Sequence, residues 1–349
     1  LNGMSPEEKM MLMADLENFA SSGRSLGEMQ ESVYTYQCPD YTQQVKPLAE
    51  YLQHIFSAYM PSDILAAYDV AHREMASLSQ QEQEEAMRNF FMFILADGLT
   101  RDFEKDMEVS GLPIIAVFQL VDDFKLTGLF DVILETLKQN QSFYEFYYNG
   151  YEEAITLILA HVGVGHLEEL KEMMKTDGFM PEVYPTVFNA VVQMAVENPS
   201  CRLQVLEWVT DVLKSCIDFT IPAMAMDWIV KSLAQIEAAE LLPMIKDIYK
   251  KYSVPPVKIE NGFKGITKLL TKGTDERIIM FTDFTEILNE FAEGEANDFD
   301  EDWLDFDNWP DEDEDDERDA DALFYKECGL KPAKSKSGKS NSKSARKGK

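Results

Sequence analysis

Histidines and acidic residues are the side chains in this sequence whose spacing comes nearest to a reactive site. His161 and His166 lie five residues apart with two glycines between them, and Glu169 follows three residues later. A zinc site needs three or four such ligands that converge on one point. This group lacks a fourth ligand and its members face apart, so we interpret the two histidines as helix-end residues rather than metal ligands.

A second acidic group begins like a calcium-binding loop. Asp298, Asp300 and Asp302 alternate along the chain, but Trp303 stands where such a loop needs glycine, and no glutamate closes it. The sequence also contains no P-loop, no GxGxxG and no GxSxG pattern. We therefore predict no cofactor, no metal and no catalytic residue. An enzyme whose site is assembled from distant residues stays open as an alternative.

Two other clusters have the chemistry of binding. Tyr34, Tyr36 and Tyr41 surround Cys38 and Pro39, which indicates an ordered loop packed on helices or, alternatively, a surface on which a ligand stacks. The second cluster is basic, in an acidic chain, and favours either a solvated, intramolecularly paired face or a phosphate or acidic-peptide site. Its members are Lys258, Lys264, Lys268, Lys272 and Arg277.

The elements that must position these residues have helical periodicity. From residue 202 to 218, apolar residues recur every three or four positions in two adjacent stripes. One stripe contains Leu203 and the other contains Trp208, so we expect this helix to contact neighbours on two sides. In the segment 222–236 the same spacing places apolar residues inward and Asp227 outward.

The helices come in pairs separated by turn residues such as Asn198 and Pro199. The predicted pairs are 114–124 with 127–138, 151–162 with 166–175, 182–196 with 201–217, and 222–236 with 240–251. Helix pairs at intervals of 31 to 40 residues are typical of TPR and HEAT-type repeats. A pair cannot bury a broad apolar face alone, and stacking solves that problem. The predicted fold class is all-α, an irregular α-solenoid of HEAT/TPR-like helix pairs with a disordered charged C-terminal tail.

The runs ITLILAHVGVGHLEELKEMM, VYPTVFNAVVQMAVENPSCRLQVLEWVTDVL and AELLPMIKDIYKKYSV resemble a bacterial family known as a domain of unknown function, number 1186. The resemblance covers about residues 113–254 and implies HEAT-like helical repeats. It implies no catalytic residues. Some relatives carry a C-terminal zinc-binding motif with clustered cysteines, whereas this chain has only Cys328 there.

Charge divides the chain into regions. Of the net charge of −31, residues 1–292 carry 45 acidic and 22 basic residues, and residues 293–325 carry 17 acidic residues and Arg318. Residues 328–349 add eight bases. We predict three regions: an N-terminal helical region over 1–110, a HEAT-like repeat domain over 111–292, and a disordered tail over 293–349. In the acidic part of the tail, Phe299, Trp303, Phe306 and Trp309 are the predicted partner-binding residues; a solvating spacer is the alternative.

These features favour a cytoplasmic interaction scaffold or adaptor that binds a protein or peptide partner through a solenoid groove, its acidic-aromatic tail, or both. The acidic body repels nucleic acid and anionic membranes, so a nucleic-acid contact is expected only through the basic tail. Cys38, Cys201, Cys216 and Cys328 lack CxxC spacing and are interpreted as thiols of a reducing compartment. No apolar run approaches the ~18 residues of a membrane span.

Overall fold

The computed structural model describes residues 34–58, 60–103, 112–148, 152–217, 220–275, 277 and 284. Within these ranges the regular structure is α-helical, supplemented by short 3-10 turns and one isolated bridge between Ile217 and Ile221. The predicted all-α class is therefore confirmed for the described part. Its helices are α1 Glu50–Ser57, α2 Pro61–Ala76, α3 Gln80–Thr100, α4 Leu112–Asp123, α5 Phe130–Leu137, α6 Gln141–Tyr147, α7 Glu152–Val162, α8 Leu167–Lys175, α9 Val183–Glu197, α10 Arg202–Cys216, α11 Met226–Ala234, α12 Leu242–Tyr252 and α13 Gly262–Lys272.

The eight helices of the four predicted pairs are all present, as α4 and α5, α7 and α8, α9 and α10, and α11 and α12. Local chemistry sets many of the helix ends. Ser79 caps α3 through a capping box, in which its hydroxyl accepts from the Glu82 N–H and its own N–H donates to the Glu82 carboxylate. Pro61 occupies the first position of α2, where a missing N–H costs nothing.

Two helices were not among the predicted elements. The aromatic run of α6 has the composition of a strand, and tertiary packing overrides that preference because the Tyr147 ring packs on Phe56 of α1 and the Tyr144 hydroxyl donates to the Leu137 carbonyl of α5 at 2.7 Å. In α13, three glycines, Gly262, Gly265 and Gly273, stand within the helix or at its end. Only Gly273, at φ 73°, ends the helix; Gly265 is buried within it, where the loop at Ile259 and Glu260 passes too closely for a side chain.

Within the predicted N-terminal helical region, the first described helix, α1, begins only at Glu50. Pro47 disfavours the helical conformation at Lys46. The Lys46 backbone is instead bound in both directions by the Asn89 side chain, with Lys46 N–H donating at 2.8 Å and Lys46 carbonyl accepting at 2.9 Å.

Helices that follow one another at the repeat interval lie side by side. The first helices of the pairs contact one another in the order α2, α4, α7, α9, α11 and α13. Among the second helices, α3 contacts α5 and α8 contacts α10. Arg202 links consecutive pairs, since it donates to the carbonyls of Ile236 and Glu237 at 2.8 Å and forms an ion pair with Glu240.

The core lies between these rows, and two sequence-based side-chain placements are wrong. Trp208 is buried as predicted, and its Nε1 donates to the Leu167 carbonyl at 2.9 Å. Leu203 is 67% exposed, because at 100° per residue it falls outside the buried arc of α10. Asp227, predicted to face outward, is 6% exposed, because Tyr249 of α12 and the backbone of Lys258 before α13 lie against it.

Candidate functional site

The predicted tyrosine loop is an irregular segment, residues 34–45, that lies across the second helices of the pairs. Tyr34, Tyr36 and Cys38 are half-buried, whereas Thr35 and Gln37 are exposed. Alternation of this kind is the pattern of an extended chain with one side on a surface. We call residues 34–46 the strap.

One end of the strap is bound at the connection between α8 and α9. The backbone N–H groups of Thr35 and Tyr36 donate to the Gly178 carbonyl at 2.8 and 3.3 Å. The Tyr36 ring lies 5.4 Å from that of Phe179, and its hydroxyl donates to Glu135 of α5. The interpretation of an ordered loop packed on helices is confirmed.

The other end of the strap is bound on α3. Beside the paired backbone contacts of Lys46 with Asn89, the Lys46 ammonium lies 2.6 Å from the Glu85 carboxylate. The strap thus runs from α8 across α5 to α3, against the order of the helices in the chain.

Burial on these helices keeps the tyrosines and the cysteine of the strap neutral. Burial, with a smaller contribution from nearby Glu135, raises the pKa of Tyr34 to about 12 and that of Tyr41 to about 12. Burial also raises the pKa of the Cys38 thiol to about 11. A thiol with so high a pKa is a weak nucleophile, which favours a packing role for Cys38 over a reactive one.

Beside the strap lies an open cleft of about 590 Å³ between α3, α5 and α8. Such a volume is within the range of ligand sites, roughly 300–1,000 Å³. Its uncharged lining combines apolar helix residues with two residues of the strap, namely Met92, Phe130, Val132, Leu134, Tyr41 and Gln44.

The charged lining of the cleft is held in local pairs. Arg88 of α3 reaches Asp131 of α5 with two hydrogen bonds of 2.8 Å and donates to the Gly128 carbonyl at 2.6 Å. The Lys138 ammonium lies 3.0 Å from the Glu135 carboxylate. Two-point contacts between Arg and a carboxylate fix geometry as well as charge, so Arg88 holds α3 and α5 in register.

His166 closes the far end of the cleft. Its ring stacks on Phe130, with centroids 4.1 Å apart and planes at 12°, and its Nδ1 lies 3.1 Å from the Glu169 carboxylate. His166 thus has a structural partner on each side, at the start of α8 as the sequence indicated.

His161 has separate partners and was not recognised as part of a charge network. It lies at the end of α7, with Nδ1 2.8 Å from Asp122 of α4 and Nε2 3.2 Å from Glu197 of α9. Burial alone lowers the pKa of this imidazole, but the two carboxylates outweigh burial and raise the pKa to about 9. Burial raises the pKa of Asp122, yet His161 and Lys125 outweigh it and hold the pKa at about 2. In the sequence, His161 lies 39 residues after Asp122 and 36 residues before Glu197. This spacing, close to the interval between helix pairs, was the available signal that the three side chains could meet.

Asp227 is a second buried acid that sequence reasoning missed. It accepts hydrogen bonds from the Tyr249 hydroxyl and, at 2.7 Å, from the backbone N–H of Lys258. Burial raises the pKa of Asp227, and the two hydrogen bonds oppose that increase. Asp227 therefore joins α11, α12 and the loop before α13.

Of the other predicted site residues, the lysines 264, 268 and 272 lie exposed on α13. Phe299, Trp303, Phe306 and Trp309 lie outside the described residues, as does the acidic group at Asp298. Among the residues that the structure describes, no three His, Cys, Asp or Glu side chains are arranged to hold a metal ion. No helix within the described ranges is long and apolar enough to cross a membrane.

Fold and cleft together define an all-α protein of stacked helices that holds an extended segment of its own chain beside an open cleft. The family model described as a protein of unknown function, DUF1186, matches residues 112–289, just over half of the chain, and the chain belongs to this family. The resemblance inferred from the helical runs is thereby confirmed. No curated protein and no solved structure matches the chain.

Proposed function

We propose that the protein is an interaction scaffold whose helix pairs stack as an irregular α-solenoid of the HEAT/TPR kind. The regular order of contacts along the first helices of the pairs supports this arrangement. Stacked pairs create long surfaces along each row of helices, and repeat proteins use such surfaces to bind extended partners.

The main support for the proposal is that the strap, an extended segment, is bound on the surface beside the cleft. The second helices already bind an extended chain through a backbone carbonyl, Gly178, and through side chains such as Glu135 and Asn89. The cleft continues this surface and is unoccupied by the described residues. We infer that it accepts an extended peptide of a partner protein.

The lining indicates the chemistry of that peptide. Apolar side chains of the partner would cover the half-buried Met92 and Tyr41, gaining about 25 cal/mol for each Å² removed from water. The rim carries both signs of charge, since Arg88 and Lys138 stand opposite Asp131, Glu135 and Glu169. A peptide with apolar side chains and polar groups of both signs therefore fits better than a polyanion or a polycation.

The alternative of an enzyme with a site between helices draws on the same cleft, which contains His166 and three carboxylates. Asp131, Glu135 and Glu169 are each engaged with a neighbouring side chain at 3.1 Å or less. General acid–base chemistry requires a group free to exchange a proton with the substrate. The paired arrangement thus supports binding more than catalysis.

A pair of substitutions on α3 tests the proposal. Met92→Arg places a charge on the cleft floor, whereas Leu99→Arg, seven residues along the same helix, alters an apolar side chain that is 45% exposed outside the cleft. We expect proteins captured from native lysate by the unchanged chain to be lost at least tenfold with Met92→Arg and retained with Leu99→Arg. Thermal unfolding of both variants shows whether the fold is kept.

Photo-crosslinking identifies the surface directly. A photoreactive amino acid at position 92 is expected to crosslink one recurrent partner, and the same group at position 99 is expected to give none. Equal crosslinking at the two positions, or capture unaffected by Met92→Arg, would show that the cleft is not the binding site.

A further inference from the structure

The exposed face of α13 carries a ladder of like charges. Lys264, Lys268 and Lys272 follow one another at intervals of four residues, so their side chains are neighbours on one side of the helix. All three are exposed, and no carboxylate among the described residues lies within 4.0 Å of their ammonium groups. Like charges at this spacing destabilise a helix slightly. We call these residues the lysine ladder.

Several basic residues on other helices have an acidic partner of the kind that the lysine ladder lacks. Elsewhere in the described chain, many lysines and arginines are paired with carboxylates, in a protein with 63 acidic and 32 basic residues. Examples are Arg88 with Asp131, Lys125 with Asp122, Lys138 with Glu135, Lys171 with Glu168, and Arg202 with Glu240. The ladder is thus a local excess of positive charge on an acidic molecule.

A small cleft lies beside Lys264 and Lys268, the first two residues of the lysine ladder. It measures about 230 Å³ and is lined by Lys264 and Lys268 together with Ile259, Glu260, Asn261, Gly265 and Leu269. This volume is below that of typical small-molecule sites, roughly 300–1,000 Å³, and is of side-chain size. Ile259 and Leu269 form the apolar part of this lining, and Leu269 is partly exposed there.

Such a surface fits a peptide that alternates aromatic and acidic residues, and the chain contains one. Residues 298–309 read DFDEDWLDFDNW, in which every aromatic residue has an acid within two positions. We propose that residues 299–309 dock in cis on α13, with their carboxylates on the lysine ladder and one aromatic ring in the cleft between Lys264 and Lys268. This inference concerns a different surface from the strap cleft and does not depend on the function proposed above.

The length of the intervening chain permits this contact. Phe284 is buried against Phe118 of α4 and His161 of α7. From α7 to α13 is three helix steps of about 10 Å each. The 15 residues from Phe284 to Phe299 reach up to ~50 Å when extended, at 3.3 Å per residue. A short tether also gives an effective concentration in the millimolar range, so weak contacts suffice.

Protection from chymotrypsin in the full-length protein tests the proposal. Docked aromatic residues resist cleavage, and we expect the cleavage rate at Phe299, Trp303 and Phe306 to rise at least fivefold when the three ladder lysines are changed to Gln. The matched control changes Lys246, Lys250 and Lys251 of the neighbouring α12 to Gln, removing the same charge from another face. Its cleavage rate is expected to equal that of the unchanged chain.

A second variant separates aromatic from electrostatic contributions. Changing Phe299, Trp303, Phe306 and Trp309 to Ser leaves every charge in place. We expect carbodiimide crosslinks between the intact ladder and the carboxylates of residues 298–307 to fall at least fivefold. Crosslinks retained in full would overturn the role of the aromatic residues. Equal cleavage in the ladder and control variants, or protection that disappears on dilution, would overturn docking in cis in favour of a free segment or a contact between molecules.

Discussion

At the scale of single residues, His161 couples stability to pH. Its folded pKa of about 9 lies above the ordinary value of 6.5, so the stabilisation is fully present below about pH 6.5 and is lost as the pH rises through 9. A shift of this size corresponds to roughly 3 kcal/mol, at 1.36 kcal/mol for each pKa unit. We expect His161→Gln to lower the free energy of unfolding by about that amount at pH 6.5 and by much less at pH 10.

Urea unfolding of the unchanged chain and the variant at pH 6.5, 8 and 10 measures this difference. His54→Gln is the control, because the His54 side chain is 60% exposed and its nearest carboxylate lies at 4.0 Å. A constant difference across the three pH values would show that His161 stabilises by packing rather than by charge.

Trp208 contributes to the stability of the fold through the volume of its side chain and through one hydrogen bond. It is 3% exposed, lies 6.0 Å from the Phe188 ring and donates to the Leu167 carbonyl, so it joins α10 to both α8 and α9. We expect Trp208→Ala to cost roughly 3–5 kcal/mol, the range for large aromatic truncations. Trp208→Phe, which keeps most of the volume, should cost much less. Chemical denaturation gives both values, and a cost near zero for Ala would exclude a core position.

At the scale of elements, α13 depends on a glycine for its packing. In a helix, Gly→Ala ordinarily stabilises by roughly 0.5–1 kcal/mol. At Gly265 we expect the opposite sign, a loss of roughly 1–3 kcal/mol, because a methyl group there would overlap the Glu260 carbonyl oxygen. Thr271→Ala, on the exposed side of the same helix, is the control. If Gly265→Ala raises the melting temperature, the close approach of loop and helix is wrong.

Sequence periodicity was sufficient to predict the paired helices. It was not sufficient to predict burial or helix formation at positions where tertiary packing determines them. The stripes of α10 and α11 predicted their helices because apolar spacing reflects burial directly. The same spacing could not show that Leu203 falls beyond the buried arc or that Asp227 is enclosed, since both depend on which helices are neighbours. The aromatic run of α6 and the glycines of α13 have low helix propensity, and only tertiary contacts make them helical.

The sequence was sufficient to predict which residue types form the candidate site. It was not sufficient to predict which distant residues they contact. The clustering of Tyr34, Tyr36 and Tyr41 indicated a packed loop. Its attachment to Gly178 and Glu135 joins positions far apart in the chain, the Tyr36–Glu135 contact spanning 99 residues. No local pattern encodes such a pairing. The ion pairs of the cleft could not be predicted from the sequence for the same reason, since Arg88 and Asp131 lie on different helices.

At the scale of the whole molecule, the strap joins helix pairs that would otherwise contact only their neighbours. In repeat proteins stability is approximately a sum of local terms, and terminal repeats can open separately. We expect Tyr36→Ala to lower the free energy of unfolding by roughly 1–3 kcal/mol. We also expect it to speed hydrogen exchange in both α3 and α8, although neither contains the substitution.

Hydrogen exchange read by mass spectrometry checks this expectation, with the exposed neighbour Gln37 changed to Ala as the control. Faster exchange confined to the strap itself would mean that it lies on the helices without coupling them. Exchange accelerated at α3 and α8 together would identify the strap as a long-range link.

The position of the strap in the chain has a consequence for the order of folding during synthesis. Residues 34–46 leave the ribosome before every helix that holds them, and the Gly178 carbonyl that receives Thr35 and Tyr36 emerges only after α8. Domains generally fold as they are made, from the N-terminus onward. The end of the strap at Thr35 and Tyr36 must therefore remain undocked until α1 to α8 have been made, and its attachment is expected to be a late step. Until then, the tyrosines of the strap and the Cys38 thiol are accessible to other molecules that contact the nascent chain.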